Sequence, residues 1–269
     1  MKGLLMNGAG NAFLLADIRG GGAQAFTPER ARALAAAHHL DQILLIAGNA
    51  DAPVMRVVNA DGGEVGACGN GARCVGWYLM QAGGMDTVTM GSLGGDLVAE
   101  TAGAMRVRVD LGPARTGWRE IPLAREMDTV TLELAVEAPG LSLAGPGAVS
   151  MGNPHCVFFV TDVDAVPAET IGPVLEHDTL FPERANIGFA QVIAPDRIRV
   201  RVWERGAGLT RACGTGAAAA VVAGHRKGLT GQAVTVVADG GELQVEWRAD
   251  GHVTLEGPVA VDGEIAIPV

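Results

Sequence analysis

Two cysteines stand where chemistry could be done. They lie in Ala67-Cys68-Gly69-Asn70-Gly71-Ala72 and Ala212-Cys213-Gly214-Thr215-Gly216-Ala217, with the sulfur-bearing residues 145 positions apart. Each directly precedes a glycine-rich helix start. There the backbone N–H groups are unpaired and the helix dipole is positive, so a thiolate is favoured and its pKa falls from about 8.5. The same N–H groups can hold a carboxylate, and Gly69, Gly71, Gly214 and Gly216 leave the backbone open to close approach. If both starts serve one substrate, its α-carbon lies between two sulfurs. One thiolate removes the α-proton and the opposite thiol returns a proton to the other face. Such stereoinversion needs no bound cofactor when amide donors stabilise the enolate-like charge on the carboxylate.

A single cysteine before a helix is more often a small buried residue. Cys74, inside the first of these helices, and Cys156, inside a strand, are read that way. For Cys68 and Cys213 the repeat around them decides otherwise. At an offset of 145, Arg56-Val57-Val58-Asn59 falls on Arg201-Val202-Trp203-Glu204, Gly63 on Gly208 and Ala67 on Ala212. At nearly the same offset Gly10-Asn11 meets Gly152-Asn153, and Gln42 meets Asn186. Matches in the same order along the chain indicate an internal duplication. Asn11, Asn153 and Asn186 could be turn residues, but their recurrence at equivalent places favours hydrogen bonds to a substrate. Asn59, Glu204 and Arg205 lie on hairpins leading into the two helices, and an adjacent acid and base could bind a distant ammonium and carboxylate.

The elements that must position these groups are legible in order. Residues 4–17 read as two strands around the turn Gly8-Ala9-Gly10-Asn11, which lacks the Lys-Ser/Thr of a phosphate loop. Thr27-Pro28 starts a helix to about His38. Strands follow at 42–47 and 54–59, with the hairpin signal Asp61-Gly62-Gly63. The Cys68 helix runs to about Gln81 and stops at Gly83-Gly84. Strands are expected at 87–90, 96–100 and 105–110, then a linker at Leu111-Gly112-Pro113. The second half repeats the pattern: strand 156–160, helix 170–176, strands 187–193 and 197–203, and a Cys213 helix to about Lys227 closed by Gly228. Short strands at 234–238, 242–247, 252–256 and 264–267 finish it.

Composition bounds the rest. The 269 residues are 48% hydrophobic and 19% charged, enough to bury a core. A net charge of −10 with no basic stretch argues against nucleic acid or an anionic membrane as partner. No sustained apolar run follows Lys2, so no signal peptide is expected, and apolar stretches such as 217–223 are far shorter than the ~20 residues of a membrane span. A soluble cytoplasmic protein is the default. Four cysteines without paired C-x2-C knuckles fit neither a disulfide framework nor a structural zinc site, and no metal is expected.

The motifs resemble those of the diaminopimelate epimerase family. The resemblance spans nearly the whole chain. It is carried by Gly8-Ala9-Gly10-Asn11, Asn59-Ala60-Asp61-Gly62, Ala67-Cys68-Gly69-Asn70-Gly71-Ala72-Arg73-Cys74, Gly152-Asn153-Pro154-His155, Asn186-Ile187, and the run from Glu204-Arg205-Gly206 to Cys213-Gly214-Thr215-Gly216. It implies an α/β (α+β) fold of two pseudo-symmetric domains, each a curled mixed or antiparallel sheet around a central helix, with the site in the cleft between them. Its last strand returns to the first domain, so the domains are expected at 1–114 plus 259–269 and at 115–258. By the same resemblance Cys68 and Cys213 are the acid/base pair. Gly69, Asn70, Gly214 and Thr215 hold the reacting carboxylate and amine region, with Asn11 and Gln42 nearby. Asn59, Asn186, Glu204 and Arg205 recognise the distal amino acid end, Asn153 contacts substrate and His155 lies beside the site. The implied enzyme interconverts LL- and meso-diaminopimelate without a cofactor, and such enzymes are commonly homodimers.

Two segments depart from the family pattern. The usual Lys-Met-His-Gly-x-Gly-Asn-Asp-Phe is Leu5-Met6-Asn7-Gly8-Ala9-Gly10-Asn11-Ala12-Phe13 here, and the usual Gly-x-Gly turn before Gln42 is His38-His39-Leu40-Asp41. Alternatives are a racemase of histidine, proline or hydroxyproline on the same scaffold, and, in another class, a ligand-binding or thiol redox-switch protein. Proline-racemase-like enzymes typically carry Cys-Gly-His where this chain has Cys68-Gly69-Asn70, which counts against them.

Overall fold

The computed structural model describes residues 1–66, 68–138 and 140–268; Ala67, matched to Ala212 in the repeat, lies outside the described residues. The chain forms two compact units, Met1–Asp110 with Glu256–Val269, and Leu111–Leu255. The first contains β1 (Lys2–Gly8), β2 (Asn11–Asp17), α1 (Pro28–His38), β3 (Gln42–Gly48), β4 (Pro53–Asn59), β5 (Glu64–Val65), α2 (Gly69–Gly83), β6 (Thr87–Met90), β7 (Leu97–Thr101) and β8 (Arg106–Pro113). The second opens with a separate hairpin, β9 (Ala135–Ala138) and β10 (Leu141–Ala144). Then the earlier order recurs: β11 (Gly147–Ser150), β12 (Pro154–Val160), α3 (Ala168–Glu176), β13 (Asn186–Ala194), β14 (Arg197–Glu204), β15 (Gly208–Thr210), α4 (Gly214–Arg226), β16 (Ala233–Ala238), β17 (Gly241–Trp247) and β18 (His252–Pro258). β8 and β18 each run across a unit boundary, and the last strand, β19 (Ala260–Ala266), belongs to the first unit and pairs with β1.

The pairing recurs with the order. In the first unit β1–β2 is antiparallel, β2–β3 parallel, and β3–β4 and β4–β5 antiparallel. In the second, β11–β12, β12–β13, β13–β14 and β14–β15 follow the same sequence of senses. Parallel neighbours need a crossover, and α1 and α3 supply it. Each sheet is covered on both faces. In the first unit, Leu14, Ala16, Ile43 and Leu45 pack with Ala31 and Ala35 of α1. On the other face, α2 packs against β1, β2, β3, β4, β6 and β7, while α4 packs against their counterparts β11, β12, β13, β14, β16 and β17. Two-sided burial explains why β3, Gln-Ile-Leu-Leu-Ile-Ala-Gly, reads as an apolar run rather than an alternation. Every residue of α4 from Gly214 to Gly224 is buried. Its alanines let strands approach from all sides, as expected of a central helix apolar all round.

Local chemistry sets the element ends. Ala9 (φ 54°) and Gly10 (φ 87°) make a two-residue hairpin turn with both central residues left-handed, so Gly8 pairs with Asn11. Thr27 caps α1, accepting from the Arg30 N–H, with Pro28 in the first turn. Gly84 (φ 61°) ends α2 in the left-handed conformation. One expectation is corrected. Leu111-Gly112-Pro113 is not a linker but the end of β8, although Gly112 has φ 81°. Its Gly-Pro pair looks like a breaker, yet proline's missing donor is tolerated at a strand end. No helix among the described residues is long and apolar enough to cross a membrane.

Candidate active site

Both cysteines are the N-caps of their helices. Cys68 is extended (φ −150°, ψ 102°), and its Sγ accepts from the Gly71 N–H at 3.2 Å. Cys213 repeats this (φ −123°, ψ 111°), its Sγ accepting from the Gly216 N–H at 3.3 Å. Sulfur thus takes the place of the usual Ser or Asp oxygen. Glycine as the third helical residue avoids close contacts on both helices. A Cβ on Gly71 would lie 2.6 Å from Leu44 Cδ2 and 3.2 Å from the Cys68 sulfur. A Cβ on Gly216 would lie 2.8 Å from Val202 Cγ2 and 3.2 Å from the Cys213 sulfur.

The polar residues named from the sequence sit at equivalent strand ends. In the first unit Asn11 begins β2, Gln42 begins β3 and Asn59 ends β4. Asn70, just inside α2, donates through Nδ2 to Asn11 Oδ1 at 2.6 Å. Asn11 Nδ2 in turn donates to Asp41 Oδ2 at 3.2 Å, and the same oxygen accepts the Ala12 N–H at 2.9 Å. Gln42 Nε2 donates to Asn59 Oδ1 at 2.8 Å, across the register pair Gln42–Asn59. Gly69 and Asn70 are buried at the helix start.

In the second unit Asn153 precedes β12, Asn186 begins β13 and Glu204 ends β14. Asn153 Nδ2 reaches Thr215 Oγ1 at 3.4 Å, the counterpart of the Asn11–Asn70 contact. Thr215 Oγ1 is 3.6 Å from the Cys213 sulfur, and Gly214 and Thr215 are buried. Asn186 accepts the Arg205 N–H through Oδ1 at 2.9 Å and donates to the Pro154 carbonyl at 3.0 Å. Arg205 Nη1 donates to the Glu183 carbonyl at 2.8 Å, and Thr210 Oγ1 donates to the Glu204 carboxylate.

The two thiols differ in burial. Burial pushes the Cys213 thiol well above its ordinary range, and the Glu204 carboxylate raises it further, against smaller opposing effects of Thr215 and the Gly216 N–H. The lowering expected from a helix start is therefore reversed at Cys213, because desolvation of the thiolate outweighs one N–H donor. Cys68 is only half-buried. His155 is fully buried and pushed down to about 3 by desolvation and by Arg205, so it is neutral. Its Nε2 meets Asn153 Oδ1 at 2.9 Å and carries the proton, leaving Nδ1 without a partner. Cys74, wholly buried, is pushed up to about 12, and burial likewise raises Cys156. Both are inert packing residues, as their positions suggest.

Three residues that matter here carry no role in the sequence reading. Asp41 looks like a turn residue, yet it anchors Asn11. Arg73 is fully buried and donates through Nη1 to Asn70 Oδ1 at 2.9 Å. The available signal was a charged side chain amid Ala72, Cys74 and Val75 on a buried helix. Glu176, at the end of α3, is 4% exposed and accepts from Trp203 Nε1 at 2.8 Å and the Gly206 N–H at 3.1 Å. It ties down the turn that carries Glu204 and Arg205, and no local pattern announces that.

Solved structures with the same fold define the class. A hydroxyproline epimerase from Agrobacterium vitis matches with a TM-score of 0.66 at 13% identity, over 98% of this chain and 90% of that one. A phenazine biosynthesis protein from Bacillus anthracis gives 0.68 at 13% identity, over 100% and 99%. The fold is thus the mixed α/β architecture found in amino-acid epimerases and their structural relatives. Sequence then narrows the class. The family model described as diaminopimelate epimerase matches residues 4–117 and 147–261. Proteins named diaminopimelate epimerase from Phenylobacterium zucineum (strain HLK1) and Acidiphilium cryptum (strain JF-5) are 53% and 50% identical. These matches cover 98% and 97% of this chain, and 97% and 95% of the relatives. The chain belongs to the diaminopimelate epimerase family.

Proposed function

We propose that this chain interconverts LL-2,6-diaminopimelate and meso-diaminopimelate, a step toward lysine and peptidoglycan precursors. The observation that carries this reading is the family match along almost the whole chain, in which both Cys-Gly-x-Gly helix starts are intact. Cys68 and Cys213 are the acid/base pair. One removes the α-proton as thiolate, and the other, as thiol, returns a proton to the opposite face of the carbon. The N–H groups that open α2 and α4 hold the reacting carboxylate and take up the charge that moves onto it. Gly69, Asn70, Gly214 and Thr215 line that end, with Asn11, Gln42 and Asn153 beside them. Asn59, Asn186, Glu204 and Arg205 recognise the distal amino acid end.

No bound cofactor takes part in this reading. The domains 1–114 plus 259–269 and 115–258 donate one thiol each, the enzyme works in the cytoplasm, and two copies form a homodimer. The relatives favour neither a racemase of histidine-like or proline-like substrates nor a thiol redox switch. The test is an assay of the purified chain with LL-diaminopimelate beside a panel of L-amino acids. Formation of the meso isomer alone is expected. Racemisation of another amino acid with none of diaminopimelate would overturn the assignment.

A further inference from the structure

Arg73 has no counterpart in the second half, where the equivalent position is Ala218. It lies in α2 five residues after Cys68 and is fully buried. Nη1 is bonded to Asn70 Oδ1, whereas Nε and Nη2 have no hydrogen-bond partner. A buried cation left without a counter-charge is costly, so its electrostatic neighbours matter. Burial pushes the Arg73 guanidinium down to about 10, so it stays charged at neutral pH; the sulfurs of Cys74 and Cys68 oppose that lowering, and Arg106 adds to it. Charged side chains on the strands packed against α2 are committed elsewhere. Lys2 pairs with Glu264, Asp17 with Arg19, Arg56 with Glu64, and Glu100 with Arg108. Cys74 is held neutral by full burial, and Asp262 on β19 raises it further. That leaves Cys68.

We propose that Arg73 is a positioning residue of this site: from within α2 it supplies the positive charge against which Cys68 ionises, and it pins Asn70 and, through it, Asn11. The geometry has two parts. The guanidinium fixes the Asn70 carbonyl oxygen, which turns the Asn70 amide toward Asn11, and Asp41 closes the chain at its far end. The two unpaired nitrogens keep the charge undiverted by any carboxylate. The inference rests on the reading of Cys68 as one of the two bases.

The test is the pH dependence of Cys68 alkylation by iodoacetamide, read by peptide mapping in the unsubstituted chain, R73M and R73K. In the unsubstituted chain the midpoint should lie below the ordinary cysteine value of about 8.5. R73M should raise it by about one pH unit or more, slowing alkylation at neutral pH roughly tenfold. R73K should recover most of the midpoint but raise the substrate KM, because an ammonium lacks the planar fork that holds Asn70. A midpoint at or above the ordinary value in the unsubstituted chain, or an unchanged profile in R73M, would overturn the proposal. If R73M does not fold, R73Q, which keeps an amide donor beside Asn70 but removes the charge, should show the same rise, and an unchanged profile there would overturn the proposal equally. Epimerisation that survives C68A would instead refute the two-thiol reading, and it leaves the alkylation result standing.

Discussion

The two helix starts share a scaffold and differ in charge. Cys68 and Cys213 cap their helices with matching backbone angles and N–H contacts, on sheets whose strands pair in the same senses. Yet five residues into α2 stands the buried Arg73, and the same place in α4 is Ala218. Asn59 ends β4, whereas Glu204 ends β14. The first thiol is half-buried near a cation, and the second is buried beside a carboxylate that favours its protonated form. Duplication supplies two equivalent sulfur positions; burial and a few unpaired substitutions set how easily each sulfur loses its proton.

The strongest way to break the comparison is to remove one sulfur. Cys68→Ala and Cys213→Ala should each lower kcat/KM by about 10²–10⁴-fold in both directions, the range of a lost acid or base. A large loss in only one variant would mean that the two thiols are not partners. Next come the glycines that admit the helices. Gly71→Ala and Gly216→Ala force a Cβ against Leu44 or Val202, and each should cost about 1–3 kcal/mol, read as a lower unfolding midpoint in urea. Similar losses in both would confirm that the scaffold is matched.

Charge should separate the halves where packing does not. Glu204 raises the Cys213 pKa, so Glu204→Gln must lower it and increase the thiolate fraction at any pH below the old value. Alkylation of Cys213 at pH 8 should quicken about tenfold, with Cys68 unchanged. Equal responses of both cysteines would dissolve the asymmetry. The smallest effect belongs to Asp41→Ala. It deprives Asn11 and the Ala12 N–H of their acceptor, and thermal melting should report a loss of about 1 kcal/mol.

Much of this was legible in the sequence because it depends on local chemistry. The caps, the Ala9-Gly10 turn and the repeat that places Asn11 with Asn153 and Gln42 with Asn186 are written in residue type and spacing. The apolar circumference of α4 announced its burial. What was not legible depends on the third dimension. The continuation of β8 through Leu111-Gly112-Pro113 is set by pairing partners rather than propensity. The Cys213 thiol is governed by burial and by Glu204, neither of which a helix start reveals. Two residues of the segments that depart from the family pattern have a structural role. Asn7 Oδ1 accepts the Gly10 N–H at 2.9 Å and so braces the hairpin turn, while Asp41 holds Asn11 in place. Asn7 and Asp41 each make a side-chain hydrogen bond to the β1–β2 hairpin.

The central claim is that two different groups handle the proton, one on each face of the α-carbon. The most direct test follows early turnover of LL-diaminopimelate in D2O by NMR and mass spectrometry. A thiolate carries off protium and the opposing thiol, already exchanged to S–D, delivers deuterium. The meso product should therefore carry one deuteron at the inverted carbon, while recovered LL substrate stays unlabelled. Deuterium entering recovered substrate as fast as product, or protium retained at the inverted carbon, would contradict the two-thiol account.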